Sequence, residues 1–291
     1  MADFIQRSVR GVDDKIRLGP DAQVDDKALV FPPTDPARTD PFLVLSEDWF
    51  STPGFDWHPH RGLETVTIVL DGVLEHGDSL GHAGALEPGD VQWMTAGRGI
   101  IHRELAFRDE HAHTLQLWLN LPADLKLVPT RYQDVRAADQ AVHAEPGVRV
   151  AVISGETGAV RGPAANHWPI LGLRLTIEPT VTYTQVLPAN YRAFAYVLAG
   201  QVEIAGAMVR TGQIAWSDPL PSSAASGLPL RVPDSETPAN ILLFAGAPIG
   251  QPVVFGGPFV MNTEAEIAKA YHDLRTGQFG ETPRQARLLT R

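Results

Sequence analysis

The sequence predicts an all-β fold of two similar barrels in tandem, with few helices. Short strand-like runs recur along the chain, turn-forming residues punctuate them, and one strand pattern occurs twice in the same order. The runs at 65–70, 89–94, 114–119, 148–153, 171–177, 194–198, 201–204 and 241–244 are separated by Gly, Pro, Asn or Asp. Their length and spacing suit a sandwich or barrel. Twenty-six glycines and 24 prolines among 291 residues supply the turns. The length itself fits one large domain or two ordinary ones.

The repeat is read from two blocks. TVTIVLDG at 65–72 is followed by Val73 and Leu74, and AFAYVLAG at 193–200 is followed by Gln201 and Val202. Each reads as a strand, a turn at Asp71-Gly72 or Ala199-Gly200, and a returning strand. A glycine-initiated strand comes next, GDVQW from Gly89 and GQIAW from Gly212, 17 residues after Gly72 and 12 after Gly200. Two echoes in one order indicate duplication. The Gly- and Ala-rich stretch 155–165 marks the boundary, giving one barrel over residues 1–155 and a second over 156–291. The clearest helix lies near the C-terminus. Thr263 and Glu266 form a capping box, Ile267, Ala270, Tyr271 and Leu274 an apolar stripe, and Gly277 a stop.

Composition narrows the chemistry. The chain is 44% hydrophobic and 20% charged, which excludes intrinsic disorder. A formal net charge of -10 lacks the basic footprint of direct nucleic-acid binding, while leaving a protein partner open. No signal-peptide core opens the chain and no run of about eighteen apolar residues occurs, so the expected location is cytoplasmic, away from membranes. Cysteine is absent. A metal would therefore be held by His, Asp or Glu.

The segment 58–104 offers such donors. It opens with His58-Pro59-His60 and closes with His102-Arg103-Glu104. In an extended strand, residues two apart share a face, so each pair points to one side. The first parity continues through Glu64, Val66, Ile68 and Leu70, so the histidine face is expected to run on as the more apolar one. Burying these groups without partners would cost several kcal/mol, roughly, and a divalent cation removes that cost. Imidazole and carboxylate without sulfur suit iron(II), manganese, nickel, copper, cobalt or zinc. By parity alone Glu64 and Glu104 are equal candidates for the carboxylate. His111-Ala112-His113 repeats the H-x-H pattern but falls in the charged stretch 108–113 and reads as a solvated loop. His76, His82, His143, His167 and His272 stand isolated and read as surface or satisfied core residues. No nucleophile elbow, phosphate loop or dinucleotide fingerprint occurs.

HPHRGLETVTIVLDGVLEHGDSLGHAGALEPGDVQWMTAGRGIIHRE at 58–104 resembles the signature region of the pirin family, within the cupin superfamily. Asp40-Pro41-Phe42-Leu43 before it matches as well, as do LQLWLNL at 115–121, Val152-Ile153-Ser154-Gly155, and GPFVMN at 257–262. The resemblance covers nearly the whole chain. It implies a bicupin architecture of two jelly-roll barrels packed face to face, with a metal, usually iron, in the first barrel only. It implies His58, His60, His102 and Glu104 as ligands, making Glu64 a nearby non-ligand. The repeat places Val186, Pro188 and Arg192 opposite His58, His60 and Glu64, and Ala225 and Gly227 opposite His102 and Glu104. The second barrel is therefore expected to lack a metal site.

The same resemblance implies quercetinase activity, in which a flavonol ring is opened with dioxygen and carbon monoxide is released. Two free metal positions would take the flavonol 3-hydroxyl and 4-carbonyl oxygens, with Glu104 as proton acceptor. Phe55, Trp57, Trp93 and Met94 are candidate neighbours of the aromatic substrate. The alternative is an iron-binding, redox-sensing regulator acting through a protein partner. A third class is another cupin enzyme, such as an isomerase, working on a small polar substrate.

Overall fold

The structure is a computed structural model and describes residues 5–51, 54–108, 110–222, 224–282 and 287–288. It is built almost wholly of strands. Among the described residues, α-helix is confined to Pro36–Thr39 and Glu264–Arg275. The chain divides into two compact units. One comprises Ile16–Ala138 together with the chain from Ile249 onward; the other comprises Asp139–Pro248 together with the chain up to Lys15.

In the first unit, a seven-stranded sheet runs in the order Arg131–Val135, Val91–Thr95, Leu63–Gly72, Ala112–Asn120, Phe42–Phe50, Asp26–Phe31 and Ile16–Arg17. A four-stranded sheet holds Phe55–His60, Ile100–Ala106, Leu74–Asp78 and Ala83–Leu86. The other unit repeats the plan. Its seven strands are Ala141–Glu145, Val148–Ser154, Ile170–Ile177, Ala239–Gly246, Arg192–Ala199, Gln213–Ser217 and Gly11–Asp14. Its second sheet is built on Ala225–Arg231, paired with Thr182–Pro188 and Gln201–Ile204.

The two echoed blocks occupy matching places, as the repeat predicts. The turns differ from the expected hairpins. After Gly72 (φ 72°) the chain enters the four-stranded sheet instead of returning beside Leu63–Gly72. The turn is thus a corner between sheets.

Period-two alternation fills the interior of the second unit. Val148, Val150 and Val152, then Leu173, Leu175 and Ile177, then Ile241, Leu243 and Ala245, all point into one aliphatic core. The side chains facing inward where the repeat set the histidines are Tyr183, Gln185, Leu187, Ser226 and Leu228, each buried. Val186, Pro188 and Ala225 face outward instead. The sequence alignment is thus one residue out of step, and a one-residue slip exchanges the faces of a strand.

The compact units do not divide at the expected 155/156, because long-range contacts place each end of the chain with the unit built from the other half. Strand Gly11–Asp14 pairs with Gln213–Ser217. The buried Arg7 guanidinium donates to Ser217 and Ser226 Oγ and to the carbonyls of Pro188, Ala189, Tyr191 and Asp218. The C-terminal helix, expected with the second barrel, belongs to the first unit. Arg61 bonds Asp273 on that helix at 2.8 Å and lies 4.5 Å from the Phe279 ring centroid. The fully buried Lys126 ammonium spends its three donors on Gly62 O, Asn120 Oδ1 and Val260 O, at 2.8, 2.8 and 2.9 Å.

The helix itself follows its sequence signals. Thr263 and Glu266 form the capping box, Ile267 and Ala270 are buried, and Gly277 takes φ 75°. Tyr271 is 39% exposed, yet its ring meets Phe259 edge-on and its hydroxyl donates to Gly256 O.

The junction with this segment is tight at Gly62, where φ is 79° and a Cβ would lie 2.1 Å from Val260 O. Gly62→Ala is expected to destabilise the protein by about 2–4 kcal/mol, through backbone strain and displacement of the C-terminal segment. A denaturant midpoint equal to wild type would contradict this.

Candidate metal centre

His58 and His60 lie on edge strand Phe55–His60, where Pro59 costs no necessary ladder bond. His102 lies on the adjacent strand Ile100–Ala106, directly opposite His58. Between His102 and Glu104 the register shifts, Glu104 pairing with Phe55, so the edge strand carries one extra residue. Such bulges re-aim side chains. Here the three imidazoles converge, with ring centroids 4.3 to 5.0 Å apart and one nitrogen from each within 4.8 Å of the others.

The ring nitrogens have distinct roles. His58 Nδ1 lies 2.7 Å from Asp56 O and His60 Nδ1 lies 3.2 Å from Pro258 O. A carbonyl can only accept, so each Nδ1 carries the proton and each Nε2 keeps its lone pair. Burial, reinforced by His58, pushes His60 down to about 3; burial also lowers His58 and takes His102 well below its ordinary value. All three are therefore neutral at pH 7, the form that ligates metal. His60 Nε2 and both nitrogens of His102 are buried without a hydrogen-bond partner. Orphaned buried donors and acceptors are costly, and converging imidazole lone pairs are what a divalent ion satisfies. The residues fit a metal.

Glu104 lines the same cavity but stands outside the three-histidine group. Its Oε1 accepts from Thr67 Oγ1 at 2.8 Å and its Oε2 from Gln116 Nε2 at 2.6 Å. Trp118 Nε1 donates to Gln116 Oε1, which fixes the amide so that its NH₂ faces Glu104. Glu64 is on the other face of its strand from Thr67. It accepts from Thr95 Oγ1 at 2.6 Å, and burial raises its carboxyl. The expected continuation of parity from His60 to Glu64 fails because Arg61-Gly62 turns the chain into the other sheet. From this strand it is Thr67, of the opposite parity, that reaches the site, through its hydrogen bond to Glu104.

A cavity of about 610 Å³ opens beside the histidines, between the two sheets of this unit. Leu29, Val44, Phe55, Trp118, Phe255 and Pro258 give it mainly apolar walls. Of the expected aromatic neighbours only Phe55 lines it. Trp57 packs toward Phe259 and Ile101 and stacks under Arg103, while Trp93 and Met94 are fully buried and do not reach the wall. Trp118, edge-on to His60 at 5.0 Å, was not foreseen, although Gln116-Leu117-Trp118 alternates so that Gln116 and Trp118 share a face.

Two other residues escaped sequence reading. His76, taken as isolated, is fully buried, 5.5 Å from the His102 ring and stacked on Tyr132. Its signal was the same-face spacing His76-Gly77-Asp78. Asp48 sits in the cavity wall two residues beyond Ser46, and burial pushes its carboxyl up to about 6, against Ser46 and Lys27. The second H-x-H brings no ligands together: His111 pairs with Asp71, and His113 with Glu47 beneath Trp49.

Comparison with known proteins finds matches in both halves of the chain. The Pirin family model matches residues 20–119 and the Pirin C-terminal cupin domain matches residues 172–280. Pirin-like protein 2 of Arabidopsis thaliana is 40% identical over 250 residues, covering 83% of this chain and 76% of its own. A protein of Geobacillus kaustophilus of known crystal structure superposes with a TM-score of 0.82 at 37% identity, over 86% of this chain and all of its own. Quercetin 2,3-dioxygenase of Acinetobacter baumannii gives a TM-score of 0.82 at 30% identity, over 94% and 99% of the two chains. The all-β fold with two cupin domains thus stands.

His60→Ala is expected to abolish stoichiometric metal, whereas His113→Ala retains it; equal metal content in the two purified variants would refute the site. Asp48 gives a pH test. Its folded-state value lies above the ordinary carboxylate value, so its contribution to stability is present below about pH 4 and lost as pH rises through about 6. Asp48→Asn should match wild type at pH 4 and exceed it by about 1–3 kcal/mol at pH 8 in denaturant titrations.

Proposed function

The chain belongs to the pirin family, and from that premise we propose that it is a metal-dependent dioxygenase that opens the central ring of flavonols and releases carbon monoxide. The observation that carries this reading is the three-histidine group opening into a largely apolar cavity of about 610 Å³. That is the size and lining of a small-molecule site. Such walls suit an aromatic ligand better than the small polar substrate of other cupin enzymes. Similarity to a quercetin 2,3-dioxygenase over nearly the whole chain supports the same choice.

His58, His60 and His102, with Glu104 completing the set, would hold one divalent ion. Iron(II) is the choice the family favours, and manganese, nickel, copper, cobalt and zinc suit the same donors. When bound, the ion would supply Lewis acidity toward the flavonol 3-hydroxyl and 4-carbonyl oxygens, and a redox-active ion such as iron(II) would add one-electron chemistry toward dioxygen, which zinc lacks.

The protein does the rest. Glu104 accepts the 3-hydroxyl proton at a carboxylate oxygen, held in place by Thr67 and Gln116. Phe55, Trp118 and Phe255 orient the aromatic rings and keep water from the reacting face.

The test is metal analysis of the purified protein, followed by quercetin oxidation under oxygen. Loss of quercetin absorbance with carbon monoxide release is expected. Glu104→Gln should lower turnover about 100-fold or more, since that is the usual worth of a positioned base. Metal-loaded protein that neither consumes quercetin nor releases carbon monoxide would discard the reading. The redox-sensing regulator would then be the reading to pursue, tested by whether a partner distinguishes the iron(II) and iron(III) forms.

A further inference from the structure

Apart from His58, His60, Glu104 and Gln116 at the metal end, the polar side chains lining the cavity are Ser46, Asp48 and Lys27. On strand Phe42–Phe50 the residues facing it are Val44, Ser46 and Asp48. The Asp48 side chain is 3% exposed. Its Oδ2 accepts from Ser46 Oγ at 2.7 Å. Its Oδ1 has no hydrogen-bond partner among the described residues. Lys27 Nζ, from the neighbouring strand, is 3.9 Å from Oδ1, beyond hydrogen-bond reach, and sits 5.6 Å from the Phe55 ring. From the other neighbouring strand Thr114 stands opposite Asp48. Glu104 and Asp21 are the remaining charged groups that act on it.

A carboxylate that lines a cavity and has an oxygen accepting no hydrogen bond can accept one from a donor on whatever fills that cavity. The position is informative too. Ser46 stands in register with Gln116, the residue that holds Glu104, and Asp48 lies two residues further on. Two residues of strand span roughly 7 Å, about one aromatic ring plus its substituent.

We propose that Asp48 is a specificity-determining residue that accepts a hydrogen bond from a hydroxyl on the end of the aromatic ligand remote from the histidines. This deepens the dioxygenase reading and rests on its assignment of an aromatic ligand to the cavity. The recognised class is a hydroxylated aromatic, and an otherwise equal ring system without a hydroxyl donor is discriminated against.

The test uses a pair of non-chelating probes, 2-naphthol and 2-methoxynaphthalene. Their binding to the full-length protein as purified is measured by ligand-observed NMR titration at pH 8, where Asp48 is ionised. Wild type should bind 2-naphthol about tenfold more tightly, the worth of a charge-assisted hydrogen bond in a buried site. Asp48→Leu should bring the ratio to near one. Asp48→Asn, which keeps the shape and guards against misfolding of the leucine variant, should lower it to about threefold. A wild-type ratio near one, or a folded Asp48→Asn protein with the wild-type ratio, would overturn the proposal. Quercetin turnover does not enter this readout. A protein inactive on quercetin that still discriminates the probes through Asp48 supports the residue's role and discards only the dioxygenase reading.

Discussion

A neutral imidazole has one N–H and one lone pair, and the site depends on which nitrogen carries which. The carbonyls of Asp56 and Pro258 settle this for His58 and His60 by accepting from Nδ1. The Nε2 lone pairs are thereby committed to the centre before anything binds. Much of the surrounding architecture serves to keep those carbonyls in place. The bulge in strand Phe55–His60 supplies the first. The second comes from the C-terminal segment, held by Arg61 to Asp273 and by Lys126 to Val260 O.

The two units show how one sheet plan serves two ends. In one, inward positions carry mainly valine, leucine and isoleucine, and the buried polar groups among them are bonded to one another, Gln185 to Thr157 and Tyr183. In the other, the corresponding walls carry Ser46, Asp48 and Gln116, and a cavity remains. A cavity forgoes packing energy. The buried clamps of Arg61 and Lys126 lie in this same unit, where the missing apolar contacts have to be offset.

Local features were legible in the sequence. Strand periodicity located the main strands, the Thr263–Glu266 capping box located the helix, and the same-face pairs His58/His60 and His102/Glu104 pointed to the strands on which three imidazoles converge. The rest depends on contacts between residues far apart in the chain. Arg7 meets Ser226, and His60 meets Pro258, so the ends of the chain joined units that position alone would not assign. Parity reasoning failed at Gly62 because a left-handed turn moves the chain between sheets and resets which face is inward. Asp48 and His76 were missed because burial, rather than residue type, makes them notable.

The dependence of His60 on Pro258 has a consequence for how the protein is made. A chain leaves the ribosome from its N-terminus, so the histidines of residues 58–102 emerge long before the carbonyl that orients one of them. The pocket cannot be finished until Pro258, 198 residues after His60, has been synthesised. Until then the His60 ring lacks the acceptor that sets its tautomer, so the order of synthesis makes the orientation of this imidazole one of the late events in folding.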